Sequence, residues 1–229
     1  MTSGPSLRVA VSAFAVLALL GVSACDGDSA DNESDTESKE GNQDTAEQDP
    51  PDDPLPEPAF DDDETVSLPI GLVSPPGYDW EIYESDDEYR PDQPHSHQVA
   101  RTNMFGCQDY ISVMQTVPIV TEDPTTSALE YLLAMDTSQH GDPAFLNPLA
   151  SSGLEVTGAE HDGDVVTVSL TGSAGSTSIC QSWQILKQIE ATARAATGAP
   201  EAEVLLDEAP LSAQLGLEET SPLTIQNLD

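Results

Sequence analysis

Apolar residues along the chain fall into three regions. The first is an apolar stretch at residues 9–20, directly after Arg8, in which Ser12 is the one polar residue. Residues 26–64 contain hardly any apolar side chains, and short apolar blocks recur from residue 65 onward. A packed core requires recurring apolar blocks, so this pattern predicts one folded domain behind a long polar segment.

The blocks after residue 97 predict two extended segments, one helix and then two strands. Residues 99–104 and 109–117 are extended, and in the second segment apolar and polar positions alternate. Asp123-Pro124 predicts a helix start with a cap and a proline in the first turn. Residues 154–159 and 165–170 predict strands, and Asp162-Gly163 predicts the hairpin turn between them.

A second helix and a final strand complete the predicted domain. Ser178 is the expected N-cap, and Gly198 is expected to end the helix. Its apolar stripe consists of Trp183, Leu186, Ile189 and Ala193, with Ile185 beside it. Residues 203–206 predict the last strand and residues 211–217 a short closing turn.

This βαββαβ order, with an extra N-terminal strand, predicts an α/β (α+β) two-layer sandwich in which two helices cover one face of a small mixed sheet. We expect four regions: a signal peptide at 1–24, an acidic disordered tether at 25–92, the domain at 93–219 and a C-terminal tail at 220–229. Residues 65–92 contain apolar side chains among prolines and acidic residues. We expect them to form a partly ordered lead-in on the domain surface.

The charge of the chain limits its partners. Forty-two acidic residues stand against six basic ones, for a formal net charge of -36. Residues 26–64 alone hold 17 acidic residues and one lysine. Nucleic acid is an implausible partner because its binding requires many lysines and arginines. The acidity fits either a salt-rich habitat or the need for an extended spacer.

The first apolar stretch ends at Val22-Ser23-Ala24-Cys25. It is shorter than the ~20 residues that span a bilayer, and small residues follow it, as in a secretory signal. A cysteine directly after the small residues resembles a bacterial lipoprotein box. We therefore expect Cys25 to be the lipid-bearing first residue of the mature protein. An ordinary signal peptide that happens to contain a cysteine is the alternative.

Two cysteines remain if Cys25 is acylated. In an oxidising compartment, Cys107 and Cys180 are expected to form one disulfide. Metal binding is the alternative, but two sulfurs without nearby histidines make a poor zinc site.

Several blocks of the predicted domain together resemble a known family. They are Pro118, the helix with Ala128-Leu129-Glu130-Tyr131-Leu132-Leu133, the strand at 166–172, the helix with Ile189-Glu190-Ala191-Thr192-Ala193, and then Val204, Pro210 and Leu211. This order resembles the GerMN domain, the sporulation and spore germination module of bacterial envelope lipoproteins, over residues 97–218. The resemblance implies a non-catalytic, envelope-facing domain related in shape to the ring-building modules of sporulation channels. It supplies no catalytic or ligand residues.

Candidate chemistry is sparse, and we expect no catalytic residue, no metal site and no cofactor. His95 and His97 form a spaced pair at the entrance of the domain. The cluster at residues 160–162 is explained by its place in a turn. The acidic residues 61–64 lack the glycine of a calcium loop.

We expect a non-enzymatic, lipid-anchored protein on the extracytoplasmic face of the cell membrane. Its domain would act as an interaction or assembly module for another envelope protein or a cell-wall polymer, and the lipid alone would contact the membrane. The alternative is a small-ligand or solute-binding lipoprotein. An envelope hydrolase ranks below both.

Overall fold

The computed structural model describes residues 57–78, 98–218 and 223–228. Within these residues the chain forms twelve strands and three helices. In chain order they are β1 (Thr65–Val66), β2 (Pro69–Val73), β3 (Gln98–Thr102), β4 (Ile111–Gln115), β5 (Ile119–Val120), α1 (Pro124–Ala134), β6 (Gln139–His140), β7 (Phe145–Leu146), β8 (Gly153–Asp162), β9 (Val165–Ser173), α2 (Ile179–Thr197), β10 (Glu201–Leu206), β11 (Ala209–Pro210), α3 (Leu211–Gln214) and β12 (Ile225–Asn227).

The strands pair into three sheets. A six-stranded antiparallel sheet has the order β12-β3-β4-β2-β7-β6, and a four-stranded sheet has the order β11-β10-β9-β8. In the second sheet β9 and β10 are parallel, whereas β8 and β9 form an antiparallel hairpin. β1 and β5 form a separate pair. The predicted α+β class is confirmed, although two larger sheets replace the one small sheet that was expected.

Helix α2 contacts strands of both larger sheets. It packs on β2 and β4 of the first sheet, on β9 and β10 of the second, and on α1. Ile185, Ile189 and Ala193 belong to the main core, whereas Ala191 and Ala195 pack with β3, β4 and β12. Because α2 is buried on more than one face, it is a central helix. The prediction had placed it in an outer layer on one face of the sheet.

Two polar side chains of α2 hydrogen-bond to the backbone of Gly71 in β2. The Gly71 N–H donates to Thr192 Oγ1 at 2.9 Å, and Gln188 Nε2 donates to the Gly71 carbonyl oxygen at 2.8 Å. Gln188 Nε2 also donates to Asn147 Oδ1 at 3.1 Å. Because Leu68 and Ser74 bond towards β4, the backbone groups of Gly71 point to the opposite edge of β2. Thr192 and Gln188 of the helix therefore make the two hydrogen bonds to Gly71 that a neighbouring strand would otherwise make.

Strand β2 corrects the predicted start of the domain. All of its residues are buried, and it lies between β4 and β7 within the six-stranded sheet. Pro69 had argued against regular structure here, but it is the first residue of the strand. Its backbone nitrogen, like that of Gly71, points away from β4, so the missing N–H costs no bond in that ladder. The folded part thus includes residues that the sequence assigned to the tether and to a surface lead-in.

The helix-end signals in the sequence are confirmed. Asp123 Oδ1 accepts from the Thr126 N–H at 3.0 Å, with Pro124 as the first residue of α1. Ser178 Oγ accepts from the Gln181 N–H at 3.2 Å, and Gly198 ends α2 in the left-handed conformation. Each cap satisfies backbone groups that have no partner within the helix.

The hairpin between β8 and β9 forms one residue later than expected. Asp162 pairs with Val165, so Gly163 and Asp164 are the two turn residues. Gly163 has a φ of 66°, which suits a glycine at the first turn position.

The predicted disulfide between Cys107 and Cys180 is present, with its Cα atoms 5.5 Å apart. Cys107 lies in the tight loop between β3 and β4, where Phe105 and Asp109 exchange two backbone hydrogen bonds. Cys180 is the second residue of α2. The bond therefore joins the six-stranded sheet to the start of the central helix.

None of the helices in the described ranges is both long and apolar enough to cross a membrane.

Replacing Gly71 with alanine should destabilise the fold. An added Cβ would lie 2.9 Å from Ile111 Cγ2 and 3.1 Å from both the Gln188 carbonyl oxygen and Thr192 Oγ1. We expect a loss of about 1–3 kcal/mol in the free energy of unfolding, measured by urea denaturation, because the helix must move away from β2. Gly158→Ala is the control, since its Cβ would meet nothing within 4 Å. Equal stability of the two variants would contradict the close contact between β2 and α2.

Reducing the disulfide should lower the melting temperature while leaving the fold intact. The bond closes a loop with a sequence separation of 73. On the chain-entropy model such a loop contributes about 4 kcal/mol. Thermal denaturation with and without reductant measures the effect. A Cys107→Ser/Cys180→Ser variant should melt at the temperature of the reduced protein and show no further response to reductant. A melting temperature of the wild type that does not respond to reductant would oppose this prediction.

Candidate functional site

The residues singled out in the sequence do not converge on one site. Cys25, His95 and His97 lie outside the described residues. The cluster at residues 160–162 lies exposed at the end of β8, and the acidic residues 61–64 are exposed ahead of β1. Asp63 accepts from the Thr65 hydroxyl at 2.7 Å, which lowers the pKa of its carboxyl. In the described ranges, histidine, cysteine and acidic side chains form no group that could hold a metal ion.

A cleft of about 660 Å³ opens where β2 ends and β4 begins. It is lined by residues 74–78, which follow β2, by Arg101 of β3, and by residues 107–110, which precede β4. These three strands are neighbours in the six-stranded sheet, so their adjoining ends bring the lining residues together. The volume lies within the range of about 300–1,000 Å³ that is usual for ligand sites.

Arg101 and Tyr110 form the charged wall of the cleft. Arg101 is opposite Ser112 in the register of β3 and β4, and Tyr110 lies two residues before Ser112 on the same face. The guanidinium carbon of Arg101 is 4.9 Å from the centroid of the Tyr110 ring. This cation–π contact holds the guanidinium against the ring.

A hydrogen-bond network connects the other side of the cleft to the sheet. The hydroxyls of Ser74 and Ser112 are 2.8 Å apart, and Gln98 Nε2 donates to Ser112 Oγ at 3.1 Å. The Tyr78 hydroxyl donates to Gln98 Oε1 at 3.3 Å, and the Tyr78 ring meets Phe145 edge-on. These contacts fix Tyr78 beside the two prolines at 75 and 76.

Asp109 supplies an anionic group to the same cleft. Its carboxylate accepts from Gln184 Nε2 of α2 at 2.9 Å, and its backbone pairs with Phe105. The cleft therefore presents one guanidinium, one carboxylate and two phenol side chains.

The other basic side chains among the described residues are buried in α2. Lys187 Nζ donates to Glu190 Oε2 at 2.7 Å and lies 5.7 Å from the centroid of the Trp183 ring. Burial raises the pKa of Glu190, while the nearby Lys187 and Arg194 charges act in the opposite direction. Arg194 donates to the carbonyl oxygens of Ala199 and Leu223. Arg194 thus connects α2 to Ala199 and Leu223, whereas Lys187 and Glu190 pair within the helix.

Sequence reasoning did not single out the cleft. Its lining comes from three separate stretches, and no short motif contains them. One signal was present: Arg101 is the only lysine or arginine between Arg90 and Lys187. A single cation in so acidic a chain is a reason to examine its surroundings.

Comparison with curated proteins found no significant match, and comparison with solved structures found none either. Residues 99–212 match the family model described as Germane: Sporulation and spore germination. The match covers α1, the hairpin of β8 and β9, α2 and β10, which are the elements that carried the resemblance in the sequence. Residues 99–212 are therefore a Germane domain, of the sporulation and spore germination family.

Proposed function

We propose that this protein is anchored by a lipid on Cys25 at the extracytoplasmic face of the cell membrane, and that its Germane domain is a non-catalytic interaction or assembly module. Its partner is another envelope protein or a cell-wall polymer. The lipid alone contacts the membrane, since the acidic polypeptide is repelled by anionic lipid.

The family match carries this proposal. It covers residues 99–212 and relates the domain to sporulation and spore germination. The pattern Val22-Ser23-Ala24-Cys25 supports the anchor, because the small residues and the cysteine follow a short apolar stretch. The acidic residues 26–64 support a spacer, since like charges extend a flexible chain away from the membrane.

The interior of the domain supports a role in binding rather than in chemistry. Gln188 and Thr192 hold the backbone of Gly71, and Lys187 is paired with Glu190. Gln188 and Thr192 thus join α2 to β2, and the ion pair of Lys187 and Glu190 lies within the helix. The cleft beside Arg101 offers hydrogen-bonding groups at the surface, as a recognition site requires.

Replacing Cys25 with serine should abolish lipidation, because serine has no thiol to accept the diacylglycerol. Metabolic labelling with an alkyne fatty acid should mark the wild type and leave Cys25→Ser unlabelled. The Cys107→Ser/Cys180→Ser variant is the matched control, since it loses the other two cysteines and should keep the label. Incorporation of label into Cys25→Ser would refute the anchor.

Cross-linking in intact cells should capture a partner through the folded domain. The full chain is compared with a control that consists of residues 1–64, which carries the same anchor and most of the acidic spacer. We expect an envelope protein or a cell-wall fragment to be enriched with the full chain alone. Identical recovery with both proteins would mean that the domain is not the interaction module.

A further inference from the structure

We propose that the surface around the β1–β5 pair binds an extended segment of another protein in which apolar side chains stand between lysines or arginines. Phe60, Val117 and Val120 form the apolar part of this surface, which we call the β1–β5 surface. This inference rests on the proposed function as an interaction module, and it names the chemistry of the partner.

The exposure of three apolar side chains is the first argument. Val117 is 74% exposed, Val120 is 76% exposed and Phe60 is 51% exposed. They are half of the large apolar side chains that lie exposed in the described part of the chain. Single exposed apolar residues are ordinary on protein surfaces, whereas several in one place mark an interaction site.

Backbone pairing brings these side chains to one part of the surface. The N–H of the residue after Phe60 donates to the Thr65 carbonyl oxygen at 2.8 Å. Thr65 is opposite Val120 in the register of β1 and β5. Val117 precedes Val120 by three residues, and Ile119 between them packs against the main core. The exposed side chains therefore lie on backbone that is held to the domain.

Strand β5 has one strand neighbour within the described ranges. It forms a two-stranded sheet with β1, so its other edge pairs with no described strand. An extended segment can add to such an edge through backbone hydrogen bonds, while its side chains determine the specificity. The partner segment is therefore extended, and apolar side chains in it can cover Val117 and Val120.

Acidic residues border the β1–β5 surface. Residues 61–64 are acidic and exposed ahead of β1, and residues 122–123 are acidic and exposed after β5. Because the two strands are antiparallel, the start of β1 and the end of β5 lie at the same end of the pair. Residues 57–66 and 116–127 contain no lysine or arginine. This border attracts a partner that carries positive charge beside its apolar side chains.

The acidic turn ahead of β1 has a defined structure. The Glu64 N–H donates to the Asp61 carbonyl oxygen at 3.0 Å, and Asp63 Oδ1 accepts from the Thr65 hydroxyl at 2.7 Å. These bonds hold the turn next to β1, so its carboxylates stay beside the apolar side chains. A preformed surface loses little conformational entropy on binding.

A second copy of the chain does not supply the chemistry of this partner. Its lysines and arginines in the described ranges are Arg101, Lys187 and Arg194, and the last two are buried. Two β1–β5 surfaces that faced each other would also bring their acidic borders together, where like charges repel. The partner is therefore a different protein with basic residues.

Binding of defined peptides to the full chain, purified in detergent, tests the proposal by fluorescence anisotropy. The probe is a labelled heptapeptide with two lysines at each end and valines at the central positions. A control peptide has serines in place of the valines and measures attraction by charge alone. We expect the valine peptide to bind about 10-fold more tightly than the serine peptide. Equal affinities would overturn the proposal.

Val117→Ser/Val120→Ser should remove the preference for the valine peptide. Met104→Ser/Ile179→Ser is the matched control, because it removes two exposed apolar side chains outside the β1–β5 surface and should keep the preference. Thermal denaturation checks that each variant is folded. A preference that persists in Val117→Ser/Val120→Ser would refute the assignment of the apolar site.

Asp62→Asn/Glu122→Gln should weaken binding of the valine peptide and reduce its dependence on salt, because it removes charge from the border. Glu201→Gln/Glu203→Gln removes the same amount of charge at exposed positions of β10 and should bind the peptide as the wild type does. Equal weakening by the two double variants would contradict the role of the border.

Cross-linking in intact cells separates this proposal from the proposed function. Loss of the captured partner in Val117→Ser/Val120→Ser would support both. Capture that is unchanged by these substitutions would overturn the β1–β5 surface as the binding site, while the domain would remain an interaction module.

Discussion

The fold depends on how α2 holds the backbone of β2. Gly71 lies in the middle of a buried strand, and its N–H and carbonyl oxygen face an edge without a neighbouring strand at that point. A buried backbone group without a partner costs about 1–3 kcal/mol. Thr192 and Gln188 supply the missing partners from the helix. Only glycine allows the helix this close, since an added Cβ at this position would meet Ile111, Gln188 and Thr192.

Local signals made much of the fold predictable. Asp123-Pro124, Ser178 and Gly198 define helix ends through contacts within a few residues, and the structure has all three. The hairpin was also predictable because its strands are adjacent in sequence, although its turn lies one residue later. The pairing of Cys107 with Cys180 followed from a count of cysteines, under the expectation that the chain is exported and Cys25 is acylated. Apart from the disulfide, with its sequence separation of 73, each of these features depends on residues that are close in the sequence.

Features that depend on distant residues were missed. Strand β2 lies among prolines and close to the acidic segment, and the partners of Gly71 follow it by more than a hundred residues. A sequence does not reveal that Gln188 and Thr192 of α2 meet a buried strand. The cleft was missed for the same reason: residues 74–78, Arg101 and residues 107–110 become neighbours only when β2, β3 and β4 pair.

The same elements that stabilise the fold also build the cleft. β2 carries residues 74–78 into the cleft, and its position is set by the contact of Gly71 with α2. Cys107 lines the cleft from the other side and is held to the start of the same helix. Asp109 receives its hydrogen bond from Gln184, again a residue of α2. Because α2 positions three parts of the lining, a shift of this helix would change the distance between Asp109 and Arg101, which lies on β3. The central helix therefore determines both the stability of the sheet and the geometry of the cleft.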